Sequence, residues 1–600
     1  MFIRCTTTRS NSSGNPYKTF RLVESERVEG KVKQRTLINL GRHFDVPKPQ
    51  WTDLSCRISE LLSPQQSLIS IELSTELEAM AQRYAAQIVA SRSQLPDSKE
   101  MFESVSIDSL ELIRPRRVGI EQLALHALMQ LKFDEKLKAL GFNQHQLAAA
   151  LGNIVARMAF PTSELASYDW LQSRSALGEL IDYDYEGMGL DRLYQVSDQL
   201  WKHKDALEKH LYQNESRLFH FDETITLYDL TNTFFEGEAK ANPKAQRGRS
   251  KEKRPDCPLV TLGLVLDSSG FPRKSKIFPG NASEPQTLQI MLEGLGGSTN
   301  STVILDAGIA SEENIAWLVE QGYRYLVVSR KKKRQFDADS AIIIKDIPGQ
   351  VVKVQRVINK ETGEVELYCH SQLREKKEQA MQDSFAKRFE TALQNLADGL
   401  NKKGCAKRYD KILERIGRLK EKYARAAQHY AITVTPDPES NKASRIEWKR
   451  LEKSHTQATH PGVYCLRTNV HEWDDKTLWE TYTMLTDLES VFRSLKSELG
   501  LRPVYHHKEE RVNGHIFITL IAYHLVQTLR CQLKAQGIHD SWQTIRNKME
   551  NQQRVTVVLK REDGKTIHLR KATKAEPRQK EIYDALGISA QPGENQKTYM

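Results

Sequence analysis

The chain has 600 residues, 39% of them hydrophobic, 28% charged and 8% aromatic, which excludes a largely disordered protein and exceeds a single core, so three or four domains are expected. Lysine plus arginine outnumber aspartate plus glutamate 88 to 77, for a net charge of +11 and a pI near 9.0; this balance permits contact with DNA without proving it. The seven scattered cysteines form no Cys-x-x-Cys pair, MFIRCTTTRSNSSG lacks a signal-peptide core, and no Gly-x4-Gly-Lys-Ser/Thr loop occurs, which argues against zinc binding, secretion and an NTP-driven motor. The longest apolar run, Ile516 to Leu529, is short for a membrane span and contains His524, so a cytoplasmic protein is expected.

In chain order, Tyr17 to Leu40 alternates around Glu29-Gly30 and predicts a small β-hairpin carrying Lys18, Arg21, Lys31, Lys33 and Arg35. From about Leu73 to Ser216 the periodicity is helical, opening on a Thr75 to Glu78 capping box. Ile225, Leu227 and Asp229 alternate with Thr226, Tyr228 and Leu230, a strand pattern that delivers Asp229 toward a strand end. Two apolar runs flanking Asp267-Ser268-Ser269-Gly270 predict a second hairpin, followed by a helix over roughly Glu284 to Leu295. A short apolar run then ends on Asp306. Gly308, a Ser311 helix cap, an amphipathic helix and a strand over Tyr325 to Ser329 follow, a strand-crossover-strand unit that favours a parallel pair with Asp306 at its carboxyl edge.

The segment from about Lys331 to Thr459 interrupts this pattern with KKKRQFD, two strand-like stretches and a charged helical run, Gln372 to Tyr430. Its charges either grip flanking DNA or solvate a hairpin of helices, and alternating signs usually mean the second. Gly462 to Asn469 returns the chain to the interrupted fold. In TYTMLTDLESVFRSLKSEL, Tyr482, Glu489 and Lys496 recur every seven residues, so on a helix they form one row, which Arg493 joins. Leu488, Phe492, Leu495 and Leu499 form a separate apolar stripe that seats the helix while the charged row faces a cleft. His506, His507, Lys508 and Arg511 read as DNA contacts, as groups orienting a site carboxylate or, more simply, as a charged loop before the buried helix HIFITLIAYHLVQTL. The tail from Asn551 offers a hairpin with a turn at Asp563-Gly564, then a loose end.

Three antiparallel strands, helix, strand, helix, strand and, after an interruption, a final helix is the order of the ribonuclease-H-like fold. With its three acids, the chain resembles a bacterial insertion-sequence transposase of the Asp-Asp-Glu type. Within that class it is similar to the insertion-sequence-four group, whose signature is Tyr, two residues, Arg, three residues, Glu, six residues, Lys. Tyr482, Glu489 and Lys496 match, but Leu485 holds the arginine position, so one DNA-contact role is unassigned. SKEKRPDC, FPGNASEPQTL and LRPVYHHKEERVNGHIF resemble the branch with a long insertion, and the likeness runs from about Leu218 to Leu529.

The resemblance implies an α/β, retroviral-integrase-like core with a large α+β insertion and a helical N-terminal domain. The corresponding division is 1–50 a hairpin region, 51–216 a helical domain holding the element's ends, 217–330 and 461–535 the two parts of the core, 331–460 the insertion, and 536–600 a hairpin and tail. Phosphodiester transfer needs two hard divalent cations about 4 Å apart, so Asp229, Asp306 and Glu489 are the expected ligands of two Mg²⁺ ions, with Mn²⁺ a possible substitute. Tyr482, Arg493 and Lys496 are the expected phosphate contacts, with His507, Lys508 and Arg511 beside them. Expected partners are the double-stranded terminal repeats and target DNA and a second protomer on DNA, with no nucleotide cofactor. A nuclease that cuts without joining, and an inactive DNA-binding relic, are the alternatives.

Overall fold

The computed structural model describes residues 1–9, 16–28, 31–41, 44–62, 73–92, 103–219, 221, 225–248, 254–293, 301–330, 336–451 and 460–600. The alternating run around Asp229 forms strand β1 (Ile225–Phe234), which pairs antiparallel with β2 (Leu259–Leu266), and β2 with β3 (Pro272–Pro279). Every residue of β2 is buried, as a continuous apolar run in a sheet covered on both faces should be. The β2–β3 turn falls where predicted: Asp267 Oδ1 accepts the Ser269 and Phe271 N–H groups at 2.9 Å, and Gly270 takes φ +81°, which glycine adopts without a steric penalty.

Helix α1 (Glu284–Leu292), strand β4 (Thr302–Leu305), helix α2 (Glu312–Glu320) and strand β5 (Arg324–Val328) follow, and β1, β4 and β5 run parallel. Ser311 Oγ accepts the Asn314 N–H at 3.2 Å and starts α2, as expected. On this face Leu288, Met291 and Leu318 of the crossover helices pack on Tyr228, Val303, Leu305 and Tyr325. The sheet then continues past β5. Strands β6 (Ile342–Lys345), β7 (Val352–Ile358), β8 (Val365–Ser371) and β9 (Val463–Thr468) extend it in the order β6-β7-β8-β9-β5-β4-β1-β2-β3. Buried Arg467 of β9 binds Glu364 at 2.9 Å and Glu312 of α2 at 2.6 Å, tying the extension to the parallel part. Helices α3 (Asp475–Arg493) and α4 (Glu509–Ala535) complete the unit, and Phe492, Ile516 and Phe517 share the core of the second sheet face with Leu227, Ile304 and Leu326.

Several boundaries differ from those expected. The strand-like stretches after Lys331 belong to the main sheet because their alternating apolar residues find a ready edge in β9; only 372–451, with helices Gln372–Gly399 and Tyr409–Lys422 and hairpin Tyr430–Pro436/Ala443–Arg450, forms cores of its own. Lys331–Gln335 of KKKRQFD and the Glu29-Gly30 turn lie outside the described residues. At the amino terminus the expected hairpin gains a third strand, Phe2–Arg9, and shares one core with helices Trp51–Leu62 and Thr75–Arg92 through Leu22, Phe44, Leu54, Ile58 and Tyr84, so no boundary falls at residue 50. Ser74 rather than Thr75 caps the second helix, because Glu78 is taken by Arg57 at 2.9 Å.

Within the stretch read as wholly helical, Val105–Arg117 is a strand, and its partner lies in the C-terminal hairpin: Gln553–Arg561 pairs with it, Thr566–Ala572 follows, and Gln596–Tyr599 closes a four-stranded sheet. The tail is therefore anchored, with Ile582 and Tyr583 of helix Pro577–Leu586 buried. Helix α4 outruns its apolar stretch and is long and apolar enough to cross a membrane, but 78% of that window is buried inside the protein, where it serves as the central core helix.

Candidate active site

Register brings two of the acids together. The last pair of the β1–β4 ladder is Tyr228 with Leu305, so the next residues, Asp229 and Asp306, occupy adjacent positions on neighbouring parallel strands, about 4.8 Å apart by sheet spacing. Tyr228 and Leu305 point into the crossover-helix core, so alternation aims both aspartates at the opposite face, across which α3 packs on β1, β4 and β5. Asp229 is half-buried and its Oδ1 accepts the Leu230 N–H at 2.7 Å; Asp306 is exposed and its Oδ1 accepts the Ala307 N–H at 2.7 Å.

Helix α3 starts at Asp474, which accepts the Thr477 N–H at 2.7 Å, and is seated by buried Val491 and Phe492, with Leu495 just beyond it, while buried Leu478 lies one turn before Tyr482 on the other side. Its opposite side carries Glu489 and Arg493, both exposed, and half-buried Tyr482; the Leu488 side chain lies outside the described residues. The Tyr482 phenol is pushed up to about 12 by burial, with Arg374 opposing and the carboxylates of Asp306 and Glu489 adding to the rise. One tyrosine thus feels both acids, which come from elements far apart in the chain. Neither Asp306 nor Glu489 forms an ion pair with a described residue. An all-oxygen carboxylate set, with Asp306 and Glu489 open to solvent, fits a hard divalent cation.

The expected straight row breaks after Arg493. Ser494–Glu498 is a π turn, in which the Leu499 N–H reaches back to the Ser494 carbonyl at 3.0 Å. The wider turn displaces half-buried Lys496 from the row; such turns recur at functional sites. A further wall escaped the sequence reading: Arg374, at the start of the charged helix, lies 4.7 Å over the Tyr464 ring, which is 5.8 Å from Tyr482. No local spacing marks Arg374; only the pairing of β8 with β9 brings it here.

His507 and Lys508 are exposed beside the start of α4, whereas Arg511 turns inward to Asp198 at 3.4 Å and lies over the Tyr194 ring, which occupies it within the protein. His506 is structural: its Nε2 meets Glu164 Oε2 at 2.8 Å, and His515 Nδ1 meets Glu164 Oε1 at 2.9 Å. These three side chains resemble a metal-ligand set. However, buried Arg157 already donates to Glu164 at 2.9 Å, and the ligand atoms touch one another directly, leaving no room for an ion with bonds of about 2.0–2.2 Å. Burial would raise the Glu164 carboxyl, but the Arg157 guanidinium and the hydrogen bonds with His506 and His515 hold it well below the usual carboxylate range; burial, with Arg157 adding, pushes His515 down to about 4.

A sheet that sets an acid from the middle of β1 beside one just past the end of β4, with a third on the helix packed across them, suits a nucleic-acid-processing enzyme. A family model described as the transposase DDE domain matches residues 221–525, half of the chain, and one described as the IS1634 family transposase N-terminal domain matches residues 5–56. The chain belongs to the insertion-sequence DDE transposases. No curated protein matches it.

Proposed function

We propose that the protein binds the ends of its own insertion sequence, cleaves there to free a 3′-hydroxyl and joins that hydroxyl to target DNA. The observation that carries this reading is the β1–β4 register, which makes Asp229 and Asp306 neighbours under the helix that holds Glu489. Asp229, Asp306 and Glu489 would hold two Mg²⁺ ions, or Mn²⁺ in their place. Such ions, when bound, activate the attacking oxygen and stabilise the leaving one. Tyr482, Arg493 and Lys496 would grip the phosphates beside the scissile bond, with His507 and Lys508 on flanking DNA and Arg511 the least available of the set. Water attacks first; the freed 3′-oxygen then attacks a target phosphodiester, so one site serves both steps because only the nucleophile changes.

The helical region before β1 would hold the terminal repeat, and two protomers would bring two ends together. Membership of the insertion-sequence-four group is supported by the spacing of Tyr482, Glu489 and Lys496. The test is a strand-transfer assay with DNA carrying the element's inverted ends. Joined product is expected with Mg²⁺ or Mn²⁺ and none in EDTA; cleavage without joining would leave a nuclease and sink the proposal.

A further inference from the structure

The loop that carries Asp306 is held from two sides. Just past β5, Arg330 donates its Nε–H to the Ala307 carbonyl and an Nη2–H to the Gly308 carbonyl. From the other side Glu284, the first residue of α1, sets its carboxylate against Gly308: a Cβ at position 308 would lie 2.5 Å from Glu284 Oε2, so only glycine admits so close an approach. Two carbonyls on successive residues suit the planar fork of a guanidinium, whereas an ammonium would have to choose between them.

Asp306 has little else to fix it. It follows the last residue of β4, among the described residues its carboxylate hydrogen-bonds only to its neighbour's N–H, and its carbonyl accepts from Ile309 and Ala310 at 3.1 and 3.2 Å within the same loop. The direction of its carboxylate therefore follows the path of residues 306–308.

We propose that Arg330 and Glu284 are positioning residues that clamp the 306–308 loop and thereby set the affinity of the Asp306 site for its divalent ion. The clamp rests on the reading of Asp306 as a metal ligand. It also gives FPGNASEPQTL a function, since that phrase delivers Glu284 at the head of α1. Groups that orient metal ligands typically contribute about 10–100-fold in affinity or activity.

The experiment is a Mn²⁺ titration of full-length wild type, Arg330→Lys, Gly308→Ala and Asp306→Asn, read as cleavage of end-bearing DNA and, without DNA, as Mn²⁺ binding by electron paramagnetic resonance. Gly308→Ala displaces only the tip of the flexible Glu284 side chain, so it perturbs the clamp without challenging the fold. Arg330→Lys and Gly308→Ala should each need about 10–100-fold more Mn²⁺ for half-maximal cleavage. Their rates at saturating Mn²⁺ should approach wild type, and their DNA binding in EDTA should be unchanged. An unshifted Mn²⁺ dependence in Arg330→Lys overturns the clamp, as does a defect confined to DNA binding in EDTA, which would make Arg330 a phosphate contact. Asp306→Asn tests the underlying reading separately: if it leaves Mn²⁺ binding intact, the metal-ligand assignment itself has failed.

Discussion

Asp229→Asn, Asp306→Asn and Glu489→Gln are each expected to slow metal-dependent cleavage of end-bearing DNA by roughly 10³-fold or more, equivalent to about 4 kcal/mol of transition-state stabilisation. Each substitution preserves side-chain volume and removes one anionic oxygen donor. Because Asp306 and Glu489 are exposed and Asp229 is half-buried, without a packing role for the carboxylates, folding should be unaffected. DNA binding in EDTA should be equal to wild type or tighter, since each change deletes a negative charge facing a polyanion. Residues that act as one unit are non-additive, so Asp229→Asn combined with Glu489→Gln should be little slower than either alone. Cleavage at the wild-type rate in any of the three single variants would remove that residue from the site.

Glu164→Ala should destabilise the protein by about 3–5 kcal/mol, because it strands the buried Arg157 guanidinium beside two imidazoles. The same network has a pH signature. His515 is held near 4 when folded against an ordinary value of 6.5, so it stays neutral in the folded chain while the unfolded chain takes up a proton. Its contribution is therefore complete above pH 6.5 and is lost as pH falls toward 4, by about 3 kcal/mol at most. Buried Glu121 and Asp267 oppose this: burial pushes both up to about 7, so what they contribute is present at low pH and is lost as pH rises toward neutrality. The informative quantity is consequently a difference. The gap in unfolding free energy between wild type and His515→Gln, from urea titrations, should widen from pH 4 to pH 6.5 and stay level above; a constant gap would show that His515 does not titrate against this network.

What could be read in advance followed the range of the forces involved. The β1-to-β5 order was legible because alternation, turn residues and the Ser311 cap are local signals that tertiary packing here reinforces. Asp306 was legible as a strand-end acid, but Asp229 lies in the middle of β1 rather than toward its end, because β1 runs on past its ladder with β4 to pair with β2 as far as Phe234; the adjacency of the two was not legible, since it depends on the register between strands separated by two others and a helix. The four-stranded sheet was invisible for a related reason: Val105–Arg117 and Gln553–Arg561 lie at opposite ends of the chain, and no local pattern names a partner. Thr75 was preferred as a cap because threonine followed by glutamate at the third position is the local rule, yet Glu78 found a stronger partner in Arg57. His506 looked like a surface cation in a basic run, and only the burial of Glu164 drew it inward.

The termini of 372–451 leave neighbouring antiparallel strands, where the Ser371 N–H meets the Gly462 carbonyl at 3.1 Å. That whole lobe therefore hangs from what would otherwise be an ordinary hairpin bend, and the entropy of closing so long an excursion grows only slowly with its length. Lobes of other sizes could be exchanged at this port with little disturbance to the sheet beneath, provided the graft begins after Glu378: Arg374 faces Tyr464 and Glu378 accepts the Gly462 N–H at 2.9 Å. Variation in the size and surface charge of this lobe can therefore accumulate while the sheet beneath stays unaltered.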